Sequence, residues 1–456
     1  VAQDRSSLLK ELVRDLGQEL VLLDEESLEK RSRDMAGFAK KPLAVVRPRG
    51  IEDVSRAVRF AARHRIPICP WGAGSSLTGA AVTEGLLLDM SSLNRVLKLD
   101  FVNWYAHVEA GVVLDELNRE LEKHGFFFPP DPASSFVCTV GGAIAEGSGG
   151  MRCVKYGTMK DWVLALKVVL PNGEVAMLGE PLAKNRAGYD LVHLFVGSEG
   201  TLGVIVEAWL KIIPKPKARV VRLYALFEDW ASAGRAIIEI RKRAQVPRML
   251  EFMDRASLEA LRLYGFDVEV AEAALLIDIE QYTARDVEEF VSLLRSYGSV
   301  KVELPEGPRA EELLLARMSA YLATAKMAPS HITEDVVVPI DRIVEYLAKA
   351  RELEAKYRIR IVLHGHAGDG NIHPTIVYDE PSREAAFKAL EELLEYAIEV
   401  GGSVTGEHGV GLQKAAHLRR QLERHGGSEA LRLMKAIKRA FDPDGIMNPG
   451  KYVEAA

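Results

Sequence analysis

The segment Val362-Leu363-His364-Gly365-His366-Ala367-Gly368-Asp369-Gly370-Asn371-Ile372-His373-Pro374 leaves the chain few ways to fold. The largely apolar run from Ile359 to Leu363 reads as a buried strand. Side chains alternate along a strand, so His364 and His366 point to one face. The Gly-Asp-Gly that follows permits a tight turn, beyond which His373 can fold back towards them. A second cluster, Gly406-Glu407-His408-Gly409-Val410-Gly411, lies about one helix further on. Two histidines with a carboxylate are a common donor set for a catalytic divalent metal. The alternative is a turn whose histidines cap strands or satisfy buried carbonyls.

With 456 residues, 48% of them hydrophobic, the chain can form two or three domains with their own cores. A net charge of -6, with no basic run, argues against a nucleic-acid partner. No apolar window approaches the roughly 18 residues that span a bilayer. The N-terminal Val1-Ala2-Gln3-Asp4-Arg5 lacks the apolar core of a signal peptide. Cys69, Cys138 and Cys153 form no C-x-x-C, which argues against disulfides, a zinc ribbon or an iron–sulfur cluster. The expectation is a cytoplasmic protein, at most peripheral at the inner membrane face.

Leu8, Leu9, Leu12, Val13 and Leu16 recur at helical spacing, so residues 5–31 are expected to form two short helices. Pro42 to Pro48 reads as a strand, and Gly50 opens a helix whose basic end, Arg63-His64-Arg65, suits a helix C-terminus. The strand Ile66 to Pro70 leads into Trp71-Gly72-Ala73-Gly74-Ser75-Ser76-Leu77-Thr78-Gly79. Successive small residues there expose backbone N–H groups that can cradle a pyrophosphate. A P-loop is excluded because Ala80-Ala81 stands where Lys-Ser/Thr is required. A Rossmann turn is disfavoured by Leu77 at the third glycine position. A tight turn without a ligand is the alternative. Further small-residue runs follow at Thr139 to Gly150 and at Gly197 to Gly203.

Pro214-Lys215-Pro216-Lys217 is a proline-punctuated boundary. Beyond it, strands (Val220 to Phe227, Ala273 to Ile279, Asp335 to Pro339) alternate with helices. These are expected from about Asp229 to Ala244, Ala284 to Ser296, Arg309 to Met327 and Ser382 to Val400. A short strand is expected at Ser403-Val404-Thr405. The alternation suggests a separate α+β domain.

Taken together, these segments make the chain resemble FAD-binding flavoproteins of the vanillyl-alcohol-oxidase type. More narrowly it is similar to the FAD-linked glycolate oxidase subunit and the D-lactate and D-2-hydroxyglutarate dehydrogenases. The resemblance covers nearly the whole chain. It implies an α+β fold: a two-subdomain FAD-binding domain with an α+β, ferredoxin-like substrate cap. The expected divisions are an N-terminal helical segment 1–37, the FAD domain 38–216, the cap 217–405 and a returning segment 406–456.

The resemblance assigns FAD contacts to Pro70, Trp71, Gly72, Ala73, Gly74, Ser75, Ser76 and Gly79 in the pyrophosphate loop, and to Pro130 and Asp131 in a flavin-contacting turn. Thr139, Gly141, Gly142, Ser148, Gly149, Gly197, Glu199, Gly203, Val204, Ile205 and Asn448 complete the set. The family's covalently flavinylated members carry a histidine in the pyrophosphate loop. This loop has none, which implies non-covalent FAD. The resemblance further implies that His366, His373 and Glu407 bind a divalent metal, Zn or Mn, and that His408 is the general base. His364 could ligate as well or support the ligands; the second is favoured, because a catalytic metal keeps positions open for substrate.

Arg317 is the candidate clamp for a substrate carboxylate, since a guanidinium fork suits bidentate binding; the alternative is an exposed helix arginine. Tyr321 and Lys326 are weaker candidates. Thr333 stands where the hydroxyglutarate enzymes carry a lysine, which favours D-lactate or glycolate over a dicarboxylate. The implied activity is oxidation of a small D-2-hydroxy acid, with electrons leaving for a quinone, a cytochrome, a partner subunit or oxygen. Two other readings are a flavin-binding electron-transfer subunit without substrate chemistry and a metal-dependent hydrolase. The first predicts loss of the histidine motifs, and the second gives the FAD segments no purpose. Substrate, acceptor, metal and oligomeric state, a homo-oligomer included, are left open.

Overall fold

Apolar runs separated by glycine and proline form the strands of a computed structural model that describes residues 5–243 and 245–454. Val1–Asp4 of the expected N-terminal segment 1–37, and Ala244 at the expected end of a helix, lie outside the described residues. The chain divides into two compact units. One comprises the described residues of Val1–Gly149, Thr158–Lys215 and Glu407–Ala456; the other comprises Gly150–Gly157 and Pro216–Gly406.

The first unit holds two larger sheets and a two-stranded pairing of Phe126–Phe127 with Ile213–Pro214. One contains β1 (Val21–Leu22), β2 (Ala44–Val46), β3 (Ile68–Trp71) and β4 (Leu86–Asp89), in the order β1-β2-β4-β3. β2 and β3 both pair parallel to β4. That arrangement explains their uninterrupted apolar sequence, because parallel strands are covered on both faces. The crossover between β2 and β3 is α1 (Ile51–His64), which buries Val54, Ala57, Val58 and Ala61. Glu52 and Asp53 in its first turn and Arg63 and His64 in its last complement the helix dipole. The second sheet is antiparallel and runs β5-β6-β9-β7-β8. Its strands are β5 (Val96–Asp100), β6 (Tyr105–Glu109), β7 (Val163–Val169), β8 (Val175–Gly179) and β9 (Val204–Lys211). Val169, Val204 and Val206 pack with α1 and the parallel sheet in one core.

The second unit is built on an antiparallel sheet ordered β13-β10-β12-β11-β15-β16-β14. Its strands are β10 (Arg219–Phe227), β11 (Met249–Asp254), β12 (Ala273–Gln281), β13 (Ser299–Glu303), β14 (Ser330–Thr333), β15 (Arg360–His366) and β16 (Asn371–Tyr378), with Val336–Val337 added against β16. Leu223, Leu250, Phe252, Leu275, Ile277, Ile361, Leu363 and Ile372 bury one face of this sheet. That face packs against residues of Trp230–Arg241, Ala284–Ser296, Ile343–Tyr357 and Arg383–Glu399. Full burial of each such side chain contributes about 1.5–3 kcal/mol. The opposite face of β10 to β12 packs its apolar side chains on Arg255–Tyr264, Gly307–Met318 and Ala320–Ala325. On β15 and β16 that face carries His364, His366, His373 and Thr375.

Two local expectations change. The helix expected over Arg309 to Met327 is two, Gly307–Met318 and Ala320–Ala325. Ser319 breaks it with φ -87° and ψ 0°, in the sparsely populated bridge region, and no glycine or proline announces the break. Ser403-Val404-Thr405 makes only a single bridge, Ser403 to Val337. Side chains hold this backbone instead: Ser403 Oγ donates to the Thr405 carbonyl and Thr405 Oγ1 to Asp335. Among the described residues no helix is long and apolar enough to cross a membrane.

Candidate functional site

In the first unit β3 ends at Trp71, and the chain leaves the sheet to border a cleft of about 1240 Å³. Pro70, Trp71, Gly72, Ala73, Gly74, Ser75 and Ser76 line one wall. Thr139, Gly141, Gly142, Ser148 and Gly149 line another, while Glu199, Gly203 and Ile205 complete the floor. The second small-residue run is a short helix, Val140–Glu146, and Thr139 caps it by accepting from the Gly142 N–H at 3.2 Å. A Cβ on Gly72 would lie 2.5 Å from Thr139 Oγ1, so loop and cap approach this closely only with glycine there. The walls are largely backbone and small side chains, which suits an extended anionic ligand gripped by main-chain N–H groups.

Gly79, Pro130, Asp131, Gly197, Val204 and Asn448 do not line the cleft; neighbouring Pro132, Ala133 and Ser134 do. Some of the six have visible structural work. Gly79 N–H donates to Asp34 Oδ2 at 2.7 Å. Asn448 Nδ2 donates to the carbonyls of Ala80 and Glu199, tying the loop to the floor.

The cleft also contains groups that no motif announced. Glu146 lines it, and among the described residues no hydrogen-bond partner reaches its Oε2. Burial raises its pKa well above the usual carboxylate range, and the charge of Glu199 adds to the effect. Glu199 is itself pushed up to about 7 by burial, against the N–H groups of Val410 and Gly411 that it accepts at 2.6 and 2.7 Å. Behind the loop, Lys451 Nζ donates to the Ala80 and Val82 carbonyls and to Asn448 Oδ1. Burial draws its pKa down. The only signal for Glu146 in the sequence is an acid among small residues.

Glu407 and His408 line the same cleft. His408 Nε2 stands 3.7 Å from Glu407 Oε1, and the His408 carbonyl accepts from Thr78 Oγ1 at 3.5 Å. A histidine beside a carboxylate, facing the loop and the capped helix, can exchange a proton with a bound ligand.

The second unit gathers the other histidines. β15 and β16 form the expected hairpin, with His364 opposite His373 and His366 opposite Asn371. Gly370 closes the turn at φ 80°, a conformation that favours glycine. All three rings are buried, and the His366 and His373 centroids lie 5.2 Å apart. Two fully buried acids stand behind them. Glu251 takes His366 Nδ1 at 2.9 and 3.0 Å on its two oxygens. Asp335 accepts from Asn371 Nδ2 at 2.6 Å and from the Gly406 N–H at 2.9 Å, and its Oδ1 is 3.7 Å from His373 Nδ1. Gly406 is thereby anchored one peptide bond before Glu407. Paired buried imidazoles backed by carboxylates are a donor arrangement suited to a divalent cation.

Arg317 is buried, 5% exposed, which sets aside the exposed-helix alternative. Its Nη2 forms an ion pair with Glu251 Oε2 at 2.7 Å, while Nε has no hydrogen-bond partner among the described residues. Tyr321 Oη lies 3.3 Å from His331 Nε2, and Thr333 Oγ1 lies 2.9 Å from Thr375 Oγ1. Lys326 instead stacks over the Tyr264 ring. Glu251 and Asp335 carried no motif, since each sits in or beside an apolar strand.

Both units match known protein families. Residues 42–179 match the family described as FAD binding domain, and residues 215–452 match FAD linked oxidases, C-terminal domain. The chain is 40% identical to the glycolate oxidase subunit GlcD of Bacillus subtilis (strain 168), over 91% of this chain and 89% of that one. It is 33% identical to a D-lactate dehydrogenase of Anaerostipes hadrus (97% and 96%) and 36% identical to the mitochondrial D-lactate dehydrogenase [cytochrome] of Arabidopsis thaliana (90% and 73%). Among solved structures, p-cresol methylhydroxylase with substrate bound superposes with a TM-score of 0.80 at 18% identity, covering 100% of this chain and 98% of that one. The 4-ethylphenol oxidase of Gulosibacter chungangensis gives 0.77 at 19% identity, covering 99% and 97%. The fold is therefore of the vanillyl-alcohol-oxidase type, and the chain belongs to the FAD-linked oxidoreductases of the glycolate oxidase GlcD and D-lactate dehydrogenase family.

Proposed function

We propose that this protein oxidises a small D-2-hydroxy acid, D-lactate or glycolate, to the 2-oxo acid and passes the two electrons to an external acceptor. The observation that carries the reading is His408 on the wall of the cleft bordered by the pyrophosphate-type loop and the capped helix. FAD, held there non-covalently by residues 70–76 and 139–149, would supply the acceptor for the hydride from C2. His408, on the wall of that cleft, takes the hydroxyl proton. Arg317 offers its guanidinium to the substrate carboxylate. His366, His373 and Glu407 would hold a divalent cation, Zn or Mn, which would supply Lewis acidity towards a hydroxyl group. Support for the cation comes from the buried imidazole pair and its carboxylate partners. Thr333 and Thr375 pair with each other, so the residues at this edge offer no cation to a second carboxylate, which favours a monocarboxylate. A partner subunit is supported as acceptor by the relative named as a subunit, and a cytochrome by the Arabidopsis relative's name.

Steady-state oxidation of glycolate, D-lactate, L-lactate and D-2-hydroxyglutarate with an artificial acceptor tests the reading. The expected order puts glycolate or D-lactate first, and equal turnover of L-lactate or a preference for the dicarboxylate overturns it.

A further inference from the structure

Glu251 lies on β11, one residue beyond the Phe252–Gly365 pairing that joins this strand to β15. Its carboxylate is 0% exposed and meets two cationic or proton-donating groups from different elements. His366 Nδ1 lies 2.9 and 3.0 Å from its two oxygens, and Arg317 Nη2 lies 2.7 Å from Oε2. Isolated, a buried carboxylate costs several kcal/mol. Here the same carboxylate fixes two groups at once, a strand histidine and a helix guanidinium, and no motif or apolar contact requires it at that place.

We propose that Glu251 is a positioning residue for the cation and for Arg317. Accepting from Nδ1–H sets the tautomer of His366, so that Nε2 is the nitrogen a cation would take. Its ion pair with Nη2 holds the Arg317 guanidinium at the same carboxylate, while the buried Arg317 Nε has no hydrogen-bond partner among the described residues. One side chain thus couples the ligand histidine to the carboxylate clamp, and its loss affects both. The inference rests on the proposed cation at His366 and His373.

The test measures Zn²⁺ and Mn²⁺ affinity by competition with a chromophoric chelator on the intact flavoprotein, for wild type, Glu251→Gln and Glu251→Asp. FAD content and melting temperature are recorded in parallel. Glutamine can accept from His366 but lacks the charge that makes the imidazole a stronger ligand and that balances Arg317; aspartate keeps the charge but withdraws it by one methylene. Both variants are expected to retain FAD and lose about 10- to 100-fold in cation affinity. KM for the hydroxy acid should rise in both. Wild-type affinity in the two variants overturns the proposal while the cation reading stands. A wild-type protein that binds neither metal overturns both together, and is recognised by that control alone. Should Glu251→Gln fail to fold, Glu251→Asp decides, because it leaves no buried cation uncompensated.

Discussion

His364 and His373 stand directly opposite each other on neighbouring strands of one hairpin, with ring centroids 5.8 Å apart. His366, one alternation along the same face, lies 5.2 Å from His373. Of the two rings proposed as ligands, His366 has an acid at hydrogen-bond distance and His373 one at 3.7 Å. Removing the cation should therefore leave the sheet intact, because side-chain bonds and an apolar face hold it. Dialysis against a chelator is expected to abolish turnover, with FAD absorbance and the melting curve nearly unchanged. Adding Zn²⁺ or Mn²⁺ should restore activity. Full activity in a sample shown to be metal-free defeats the cation proposal, and unfolding on chelation marks a structural metal instead.

His408→Asn should leave FAD bound while flavin reduction by substrate slows about 100-fold or more, the usual range for a general base. Rapid-mixing absorbance reads this directly. A wild-type rate removes His408 from proton transfer.

Arg317 calls for a different substitution from the one its sequence position suggests. A helix arginine read as partly exposed could be changed to methionine with little effect on folding. Here Arg317→Met strands the fully buried Glu251, and denaturation should report a loss of about 3–5 kcal/mol. Arg317→Lys keeps the charge but loses the planar fork, so it should fold and raise KM about 10-fold or more. An unchanged KM in the lysine variant removes Arg317 from substrate binding.

The carboxyls of Glu146 and Glu199 make stability depend on pH. An acid whose folded pKa lies above its unfolded value holds its proton longer when folded. Its contribution is thus most favourable below the unfolded pKa and is lost as pH rises through the folded one. For Glu199 that window runs from the usual carboxylate value of about 4.5 to about 7, and the Glu146 carboxyl is raised well above the usual range as well. Asp254, pushed up to about 6 by burial, acts with the same sign. Cofactor-free protein should melt progressively lower between about pH 5 and pH 8, and Glu146→Gln should flatten that fall. A melting temperature that rises over this interval contradicts the assignment.

Acid precipitation is expected to release all of the flavin into the supernatant, since no histidine lies in the loop at 70–79. Colour retained in the pellet indicates a covalent link.

Much of this architecture could be read from the chain because period and punctuation carried it. The Ile359 to Leu363 run, the Gly-Asp-Gly turn and the return to His373 specify the hairpin, and the observed strands Arg360–His366 and Asn371–Tyr378 follow that pattern. The strand at Ala44 was legible as a short apolar run between prolines. What escaped was decided by tertiary contact. Glu251 reads as one polar residue in the strand Met249–Asp254, and its meaning appears only when β15 brings His366 beside it. Ser319 looks like any helix residue, yet its backbone turns the chain there. Gly150–Gly157 follows a glycine run of the first unit but groups with the second, an exchange no local signal marks.

Anaerobic mixing of the purified flavoprotein with D-lactate and with glycolate, followed by the visible absorbance of oxidised flavin, tests the central claim most directly. The account predicts that at least one of the two bleaches the flavin stoichiometrically and yields the matching 2-oxo acid, while L-lactate does not. An FAD-loaded protein whose absorbance is unchanged by every 2-hydroxy acid tried would contradict it.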